Sequence, residues 1–418
     1  MKESIVKYRA DGEEEQEVME TIHPAIVVVA FNRPRSLKRI LDSIRRADYT
    51  GYADIPLVIS IDQSEDPAVR DVASSTPWDH GPKRVIVHDR HLGLRKHILA
   101  CGDLSKEYGA VIVLEDDLAV SPAFYDYSVQ AVEAYQKEAS VGGISLYSYE
   151  FNEYADMKFI AVDDGYDNYF VQTVSSWGQI WTGRQWARFK GWYEQNAPRG
   201  VRETDLLPLR VTQWPESSWK KYFLKYMVEE DVTFVFPRIS LTTGFGDDGV
   251  HLRGLGNLLQ VPMLMRRKAF RFGQVGESSA VYDAFFEPTQ DVLKRACPEF
   301  RRYEFECDFY GTKDVSQVTS DYLISSKEAK EAIFRFGDEM VPPVTNVLYG
   351  IPGSHYAFAE RDHFMPLSRL RRLGIVYRQQ RILSGVTAVA LGCYRFFVLG
   401  RSMLKTMTSK FRGGSGER

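Results

Sequence analysis

Apolar runs alternate with segments of helical periodicity along the first third of the chain. Uninterrupted runs of β-branched and aliphatic residues are typical of strands that are buried on both faces of a sheet. Such runs occupy residues 25–31, 57–61, 84–87 and 110–114, and apolar residues recur at helical spacing between the first two, over residues 37–44. Strands that alternate with helices predict an α/β fold, with a mostly parallel sheet flanked by helices on both faces.

Polar residues follow each of these predicted strands. The carboxyl ends of parallel strands meet at one edge of a sheet, where ligands bind. The residues that we expect at this edge are Asn32, Arg33, Asp62, His88 and the triplet Glu115, Asp116 and Asp117. Each has a simpler interpretation when taken alone: Asp62 as a helix or turn cap, His88 as a surface histidine, and the triplet as a solvated acidic turn.

The triplet carries the most informative chemistry. Three adjacent carboxylates repel one another, so they need either solvent or a cation. Hard oxygen ligands suit Mg²⁺ or Mn²⁺, especially where a substrate diphosphate completes the coordination. Neither a GxxxxGK[ST] nor a GxGxxG sequence follows any predicted strand, so the chain has neither a P-loop nor a dinucleotide fingerprint.

Composition narrows the class of protein. The chain has 418 residues, 44% of them hydrophobic, which is enough for a substantial core. A net charge of -3 argues against nucleic acid as the main partner. The four cysteines are scattered without CxxC spacing, which favours a reducing cytoplasm. The polar leader, residues 1–24, predicts neither a signal peptide nor an N-terminal membrane anchor.

Several segments, in this order, resemble N-acetylglucosaminyltransferase I and its bacterial relatives, which are inverting glycosyltransferases of the GT-A fold. They are VVVAFNRPRSLKRILDSI, LVISIDQSED, VIVLEDDLAVSPAFYDYS, VSSWGQIW, WPESSWKKY and SLTTGFGDDGVH, within residues 25–252. The resemblance implies that Arg33 and Asp62 contact the nucleotide, and that Asp117 binds manganese. It also implies that Glu115 and Asp116 hold the nucleotide and the donor sugar. The family's histidine before the helix corresponds to His88, with looser spacing.

Two further segments gain a role from the same resemblance. SSWGQIW places Trp177 near the donor sugar and the acceptor, although a buried tryptophan is more often a core residue. The glycine-rich segment 242–251 is interpreted as a mobile loop that closes over the donor, with an ordinary tight turn as the alternative. His251, at its end, is a candidate for a further metal ligand.

The catalytic base is where this sequence departs from the family. An inverting transfer needs a group that takes the proton from the acceptor hydroxyl. The family places this acid after the second tryptophan of a WPxxxWDD-like segment, whereas this chain has Lys220 and Lys221 there. Either another acid serves, with Glu216, Asp247 and Asp248 as candidates, or the acceptor and the geometry differ.

The remainder of the chain predicts two more regions beyond a catalytic domain at residues 25–260. Residues 261–365 form an accessory region on the acceptor side, and residues 366–418 form a basic tail. The apolar run of the tail is interrupted by Arg395, so we expect it to lie on an anionic membrane surface rather than to cross the bilayer. The alternative is a core or partner-binding helix.

The predicted function is a metal-dependent, inverting glycosyltransferase, with Mn²⁺ or Mg²⁺ as the cofactor. It would move a sugar from a nucleotide-diphosphate donor, with UDP favoured, to a glycan or lipid-linked acceptor at the inner face of the membrane, as in bacterial polysaccharide assembly. A nucleotidyltransferase is one alternative, but the segment FNRPRS lacks the glycine-rich phosphate loop that it needs. A glycan-binding scaffold that has lost catalysis is the other, because of Lys220 and Lys221.

Overall fold

The fold is taken from a computed structural model. It describes residues 22–245, 259–367 and 372–376, the backbone of residues 6–8 and 14–16, and short helical pieces within residues 385–394. The chain divides into two compact units, Met1–Pro366 and Leu367–Arg418. No helix among these described residues has both the length and the apolar character needed to cross a bilayer.

The strands and helices come in the following chain order. The strands are β1 (Val6–Tyr8), β2 (Glu14–Gln16), β3 (Ala25–Ala30), β4 (Leu57–Ile61), β5 (Lys83–Val87), β6 (Ala110–Glu115), β7 (Leu118–Val120), β8 (Val141–Ser145), β9 (Phe151–Asn152), β10 (Met157–Lys158), β11 (Asn168–Val171), β12 (Gln179–Thr182), β13 (Thr233–Pro237), β14 (Thr242–Gly244), β15 (Val281–Tyr282), β16 (Phe305–Asp308), β17 (Tyr322–Ser325), β18 (Phe334–Phe336) and β19 (Tyr356–Glu360). The α-helices are α1 (Pro34–Arg45), α2 (Pro67–Ser75), α3 (Gly93–Asp103), α4 (Ser105–Tyr108), α5 (Phe124–Tyr135), α6 (Gly183–Asn196), α7 (Leu209–Thr212), α8 (Trp219–Glu229), α9 (Gln290–Ala296) and α10 (Thr345–Leu348).

A mixed sheet forms the centre of the first unit. In the described part of the chain its strand order is β15-β11-β13-β8-β12-β6-β3-β4-β5. Neighbours are parallel except where β12 pairs with β6 and β8, and where β11 pairs with β13. The sheet is therefore mostly parallel and flanked by helices, which confirms the predicted α/β fold class.

One edge of this sheet collects the polar residues that the sequence predicted there. Within the parallel group β6-β3-β4-β5, Val29 pairs with Glu115, Ala30 with Ile61, and Ile61 with Val87. These strands therefore end side by side, and the loops that follow them leave from the same edge. We call it the triplet edge, after the acidic triplet Glu115, Asp116 and Asp117.

The helix after β3 shows why the sequence pattern folds locally as it does. Pro34 occupies the first turn of α1, where its missing N–H costs no hydrogen bond. Leu37, Ile40, Leu41 and Ile44 are each at most 1% exposed, so the periodic apolar positions form the buried face. Because α1 packs against the core through this face, the loop that carries Arg33 is held beside the strand ends.

Four smaller sheets accompany the central one in the described part of the chain, and two of them are the two-stranded pairs β1-β2 and β9-β10. β7 pairs with β14 in an antiparallel ladder directly after the acidic triplet. Further along the chain, a four-stranded sheet has the order β16-β17-β19-β18. A second cluster of buried side chains packs on it, including Phe300, Phe305 and Phe358. Residues 261–365 thus build a sheet of their own, and they also contribute β15 to the central sheet.

Two helical glycines offer a matched test of the packing. A Cβ added at Gly102 in α3 would overlap the Trp186 ring, whereas one added at Gly191 in α6 meets nothing within 4 Å. We expect Gly102→Ala to lower the free energy of unfolding by about 1–3 kcal/mol through overpacking. Gly191→Ala should raise it by about 0.5–1 kcal/mol, since alanine is the better helix former. Urea unfolding measures both, and equal effects would contradict the packing of α3 against Trp186.

Candidate functional site

Arg33 connects two acids of the triplet. Its Nη1 donates to Asp117 Oδ2 at 3.0 Å, and its Nη2 donates to Asp116 Oδ1. Asp116 is almost fully buried, while the side chains of Arg33 and Asp117 are each 30% exposed. The cluster therefore combines one buried ion pair with a carboxylate that solvent or a ligand can reach. The structure brings Arg33, Asp116 and Asp117 together at the triplet edge, as the strand ends predicted.

Glu115 is the acid of the triplet that lacks a partner. Its Oε1 is buried and accepts no hydrogen bond within the described residues. Burial and the charges of Asp117 and Asp116 together raise the pKa of Glu115 to about 8. Burial also raises the pKa of Asp116 to about 6, although Arg33 opposes this rise. Without a cation, the triplet therefore favours proton uptake over full ionisation, which is a physical reason to expect a cation beside it.

The donor set of the triplet suits a hard divalent cation. Carboxylate oxygens are the preferred ligands of Mg²⁺ and Mn²⁺, and such ions are often held by one or two carboxylates together with substrate phosphates. Over the described ranges, no group of three or more Asp, Glu, His or Cys side chains is arranged to hold a metal ion alone. The described residues thus fit a metal that Asp117 and a bound diphosphate share.

Asp62, at the end of β4, is buried by the loop that precedes α3. Its carboxylate accepts backbone N–H bonds from Leu92 at 2.7 Å, Gly93 at 3.0 Å and Gln63 at 2.8 Å. His91 Nδ1 lies 3.0 Å from the same carboxylate. Burial would raise the pKa of Asp62, but these backbone hydrogen bonds outweigh it, so the pKa lies below its usual value. Asp62 thus positions the loop, and its contact with a nucleotide stays a prediction.

This geometry predicts a pH-dependent contribution to stability. Asp62→Ala leaves buried N–H groups without an acceptor, which should lower the free energy of unfolding by about 1–3 kcal/mol at neutral pH. Because the pKa of Asp62 is lowered in the folded state, its stabilisation is complete above the ordinary aspartate pKa of 3.8 and is lost as the pH falls further. Urea unfolding from neutral to acidic pH should therefore show the difference from the wild type shrinking. The exposed Asp79→Ala serves as the control, and a difference that is independent of pH would contradict this account.

The predicted residues Asn32 and His88 lie at the same edge. Asn32 is exposed directly after β3. Ser60 Oγ lies 3.1 Å from His88 Nε2 and 2.8 Å from Nε2 of the buried His97. Burial, reinforced by the neighbouring His88, lowers the pKa of His97 to about 4. His88 is therefore tied to β4 through Ser60, which also contacts the neutral His97, and the loose match of His88 to the family stays untested.

Trp177 lies beside β14, whose partner strand β7 directly follows the triplet. Its ring is half-buried, with Tyr147 in edge contact at 4.9 Å, and a Cβ added at Gly244 in β14 would lie 2.9 Å from it. Phe245, which follows β14, donates its backbone N–H to the carbonyl of Asp117 at 3.2 Å. The segment that leaves β14 therefore starts against the triplet. Asp247, Asp248 and His251, predicted as candidate base and metal ligand, lie outside the described residues.

The structure also shows what surrounds the lysines at the family's base position. Lys221 is buried, and its Nζ donates to Glu216 Oε1 at 2.8 Å and to the Trp214 carbonyl at 3.0 Å. Tyr222 donates to the other oxygen of Glu216. The bonds from Lys221 and Tyr222 lower the pKa of Glu216. Lys220 instead lies over the Trp214 ring, with Nζ 4.7 Å from its centroid.

Sequence reasoning missed two residues of this edge. His91 contacts Asp62 and lies 5.1 Å from the Phe31 ring, between centroids. Arg95, near the start of α3, lies over the Tyr222 ring at 4.9 Å. Both belong to the HLGLR segment between β5 and α3. Its position after a strand end was a usable signal, since loops of this kind also carry Arg33 and the triplet.

Comparison with known proteins decides the type of domain. Residues 25–191 match the family Glycosyl transferase family 2. The match confirms the predicted resemblance to GT-A glycosyltransferases and the prediction of a glycosyltransferase domain. This family 2 domain begins with β3, ends within α6, and includes Arg33, Asp62 and the triplet. Glu216 and Lys220 lie beyond it.

More distant similarities extend over about half of the chain. An Arabidopsis thaliana alpha-1,3-mannosyl-glycoprotein 2-beta-N-acetylglucosaminyltransferase is 22% identical over 241 residues, which are 54% of this chain and 48% of the relative. The chain thus spans about half the length of this curated relative. Among solved structures, GalNAc-T7 with UDP, GalNAc and Mn²⁺ has a TM-score of 0.36 at 12% identity, covering 52% of this chain and 43% of its own. S. aureus TarS 1-349 in complex with UDP-GlcNAc has a TM-score of 0.35 at 11% identity, covering 55% and 60%.

Proposed function

We propose that this protein is a metal-dependent, inverting glycosyltransferase that transfers a sugar from a nucleotide-diphosphate donor to a glycan or lipid-linked acceptor. The observation that carries the proposal is the cluster at the triplet edge. There, Arg33 joins Asp116 and Asp117 within the segment that matches family 2, and a buried oxygen of the neighbouring Glu115 has no partner among the described residues. A UDP-sugar is favoured as the donor, as the family resemblance of the sequence implies.

Each residue of the cluster would have a distinct task. Asp117, the more exposed acid, would hold Mn²⁺ or Mg²⁺, which would offset negative charge on the departing diphosphate. Arg33 presents a forked guanidinium suited to phosphate oxygens, and its charge offsets the repulsion between the carboxylates of Asp116 and Asp117. Glu115, Asp116 and the half-buried Trp177 would orient the donor sugar, while Asn32, Asp62 and His88 would border the nucleotide.

The base must come from an acid other than the family's own. Glu216 is 62% exposed, but Lys221 and Tyr222 hold both of its oxygens and reduce its proton affinity. Asp247 and Asp248 follow Phe245, which is bonded to the triplet, so a contribution from that segment is equally compatible. Changing each acid to its amide identifies the base: the essential variant loses transfer and retains donor binding.

A panel of nucleotide sugars tests the proposed function directly. We expect one donor, most simply a UDP-sugar, to be cleaved in the presence of Mn²⁺ and spared when the metal is removed by EDTA. Nucleotide binding without cleavage or transfer would favour the scaffold alternative, which the pairing of Glu216 with Lys221 keeps open. Release of pyrophosphate from a nucleoside triphosphate would instead point to the nucleotidyltransferase.

Residues 366–418 would place this activity at the inner face of a membrane. Their basic residues flank an apolar run, which suits binding to anionic lipid next to a lipid-linked acceptor. The division into a catalytic region at 25–260 and an acceptor-side region at 261–365 belongs to the same proposal. Sedimentation of the full chain with anionic and neutral vesicles tests the membrane contact, and equal binding to both would oppose it.

A further inference from the structure

Two cations at the triplet edge lie on aromatic rings instead of beside carboxylates. Lys220 Nζ is 4.7 Å from the centroid of Trp214, and the Arg95 guanidinium is 4.9 Å from the centroid of Tyr222. Neither cation has a carboxylate oxygen within 4.0 Å among the residues that the structure describes. Cation–π contacts of this kind hold a charged group in place without neutralising it. Both cations therefore stay available to a ligand.

The nearby acid Glu216 is paired mainly with another cation. It is bonded to the buried Lys221 and to the hydroxyl of Tyr222, and its interaction with Arg95 is weaker than either of these. Once that pair is accounted for, Arg95 and Lys220 leave the surface around Trp214 and Tyr222 positive. We call this the cation surface. It is built from the starts of α3 and α8, which pack against each other.

The cation surface adjoins the triplet edge through α3. Arg95 follows the loop whose Leu92 and Gly93 N–H groups bond Asp62 at that edge, and α3 packs against β3 and β6. A donor diphosphate held at Arg33 and Asp117 would leave the cation surface for the second substrate. An attacking molecule that carries negative charge would meet complementary charge there.

We propose that Lys220 and Arg95 bind an anionic group of the acceptor, a phosphate or a carboxylate close to the hydroxyl that receives the sugar. This inference rests on the proposed function and specifies its acceptor class. It also gives a physical meaning to the lysine at the family's base position: the site exchanges an acid for a cation that selects a charged acceptor. A neutral glycan has no negatively charged group that could pair with either cation.

Binding of small probes to the protein saturated with UDP and Mn²⁺ tests the proposal. The probes are glucose 6-phosphate, glucuronic acid and methyl glucoside, and the affinities come from titration calorimetry or ligand-observed NMR. We expect an anionic probe to bind about tenfold more tightly than methyl glucoside, as one charge-assisted hydrogen bond provides. The stronger of the two anions identifies the group as phosphate or carboxylate.

Variants show whether the two cations cause this preference. Lys220→Ala and Arg95→Ala should each remove most of it, Lys220→Arg should keep it, and the exposed Lys96→Ala on α3 should leave it unchanged. Equal affinities for charged and neutral probes would overturn the inference. So would a loss of UDP affinity in Lys220→Ala as large as the loss for the probe, because the cation would then serve the donor. Failure of the wild-type protein to bind UDP with Mn²⁺ would instead overturn the proposed function.

Discussion

Asp117→Asn is expected to reduce metal-dependent cleavage of the donor by about 100- to 1000-fold, the loss that accompanies removal of one electrostatic contact to a developing charge. Asparagine keeps the size of the side chain but removes the charge that would hold a divalent ion. Arg33 keeps its bonds to Asp116, so the loop after β3 stays in place. The assay is release of the nucleoside diphosphate from the donor identified in the panel, with and without Mn²⁺.

The control for this prediction separates catalysis from folding. Asp79→Asn makes the same chemical change at an exposed position away from the triplet, so its activity should equal that of the wild type. The thermal melting temperature of Asp117→Asn should stay close to that of the wild type, since Asp117 is 30% exposed. Undiminished cleavage by a folded Asp117→Asn protein would remove Asp117 from the metal site.

Lys313→Met should give the largest loss of stability. Lys313 is 7% exposed, and its Nζ lies 2.6 Å from Asp283 Oδ2 and 2.9 Å from Glu306 Oε2. Burial alone would lower the pKa of Lys313, but these two carboxylates raise it, so the ammonium stays charged. Methionine fills similar space and leaves both acids without a counter-ion. The expected decrease in the free energy of unfolding is about 3–5 kcal/mol, measured by urea unfolding.

A matched lysine and a double variant make this prediction specific. Lys330→Met changes an exposed lysine and should alter the free energy of unfolding by less than about 0.5 kcal/mol. The double variant Lys313→Met with Asp283→Asn should recover part of the loss, because one unpaired charge is removed with the cation. If Lys313→Met unfolds at the same urea concentration as the wild type, the ion pairs of Lys313 with Asp283 and Glu306 do not contribute to holding β16 near the end of β15.

The sequence predicted those parts of the fold that depend on local patterns of apolar residues. The runs at β3, β4 and β6 consist of buried aliphatic residues, and the periodic positions of α1 are the ones that face the core. Parallel strands fix which loops share an edge, so the meeting of Arg33 with Asp116 and Asp117 could be predicted. The antiparallel β12 was not, because the direction of a short strand depends on partners far along the chain.

The sequence predicted that these polar residues gather at one edge of the sheet, but it did not predict their contacts. The sequence identified Asp62 and the lysines at the family's base position as informative. It gave no sign that the Asp62 carboxylate accepts hydrogen bonds from the backbone of Leu92 and Gly93, or that Lys220 lies over the Trp214 ring. These contacts depend on how α3 and α8 pack, which no local pattern encodes.

By itself, the sequence determined the order of strands and helices and the edge at which polar loops gather, since hydrophobic periodicity and chain direction are local properties. The tertiary structure alone decided which charges are paired. Lys313 and Lys221 are neutralised by acids, whereas Lys220 and Arg95 rest on aromatic rings. The physical reason is that electrostatic energies depend on distances of a few ångströms and on burial, and packing between distant segments sets both.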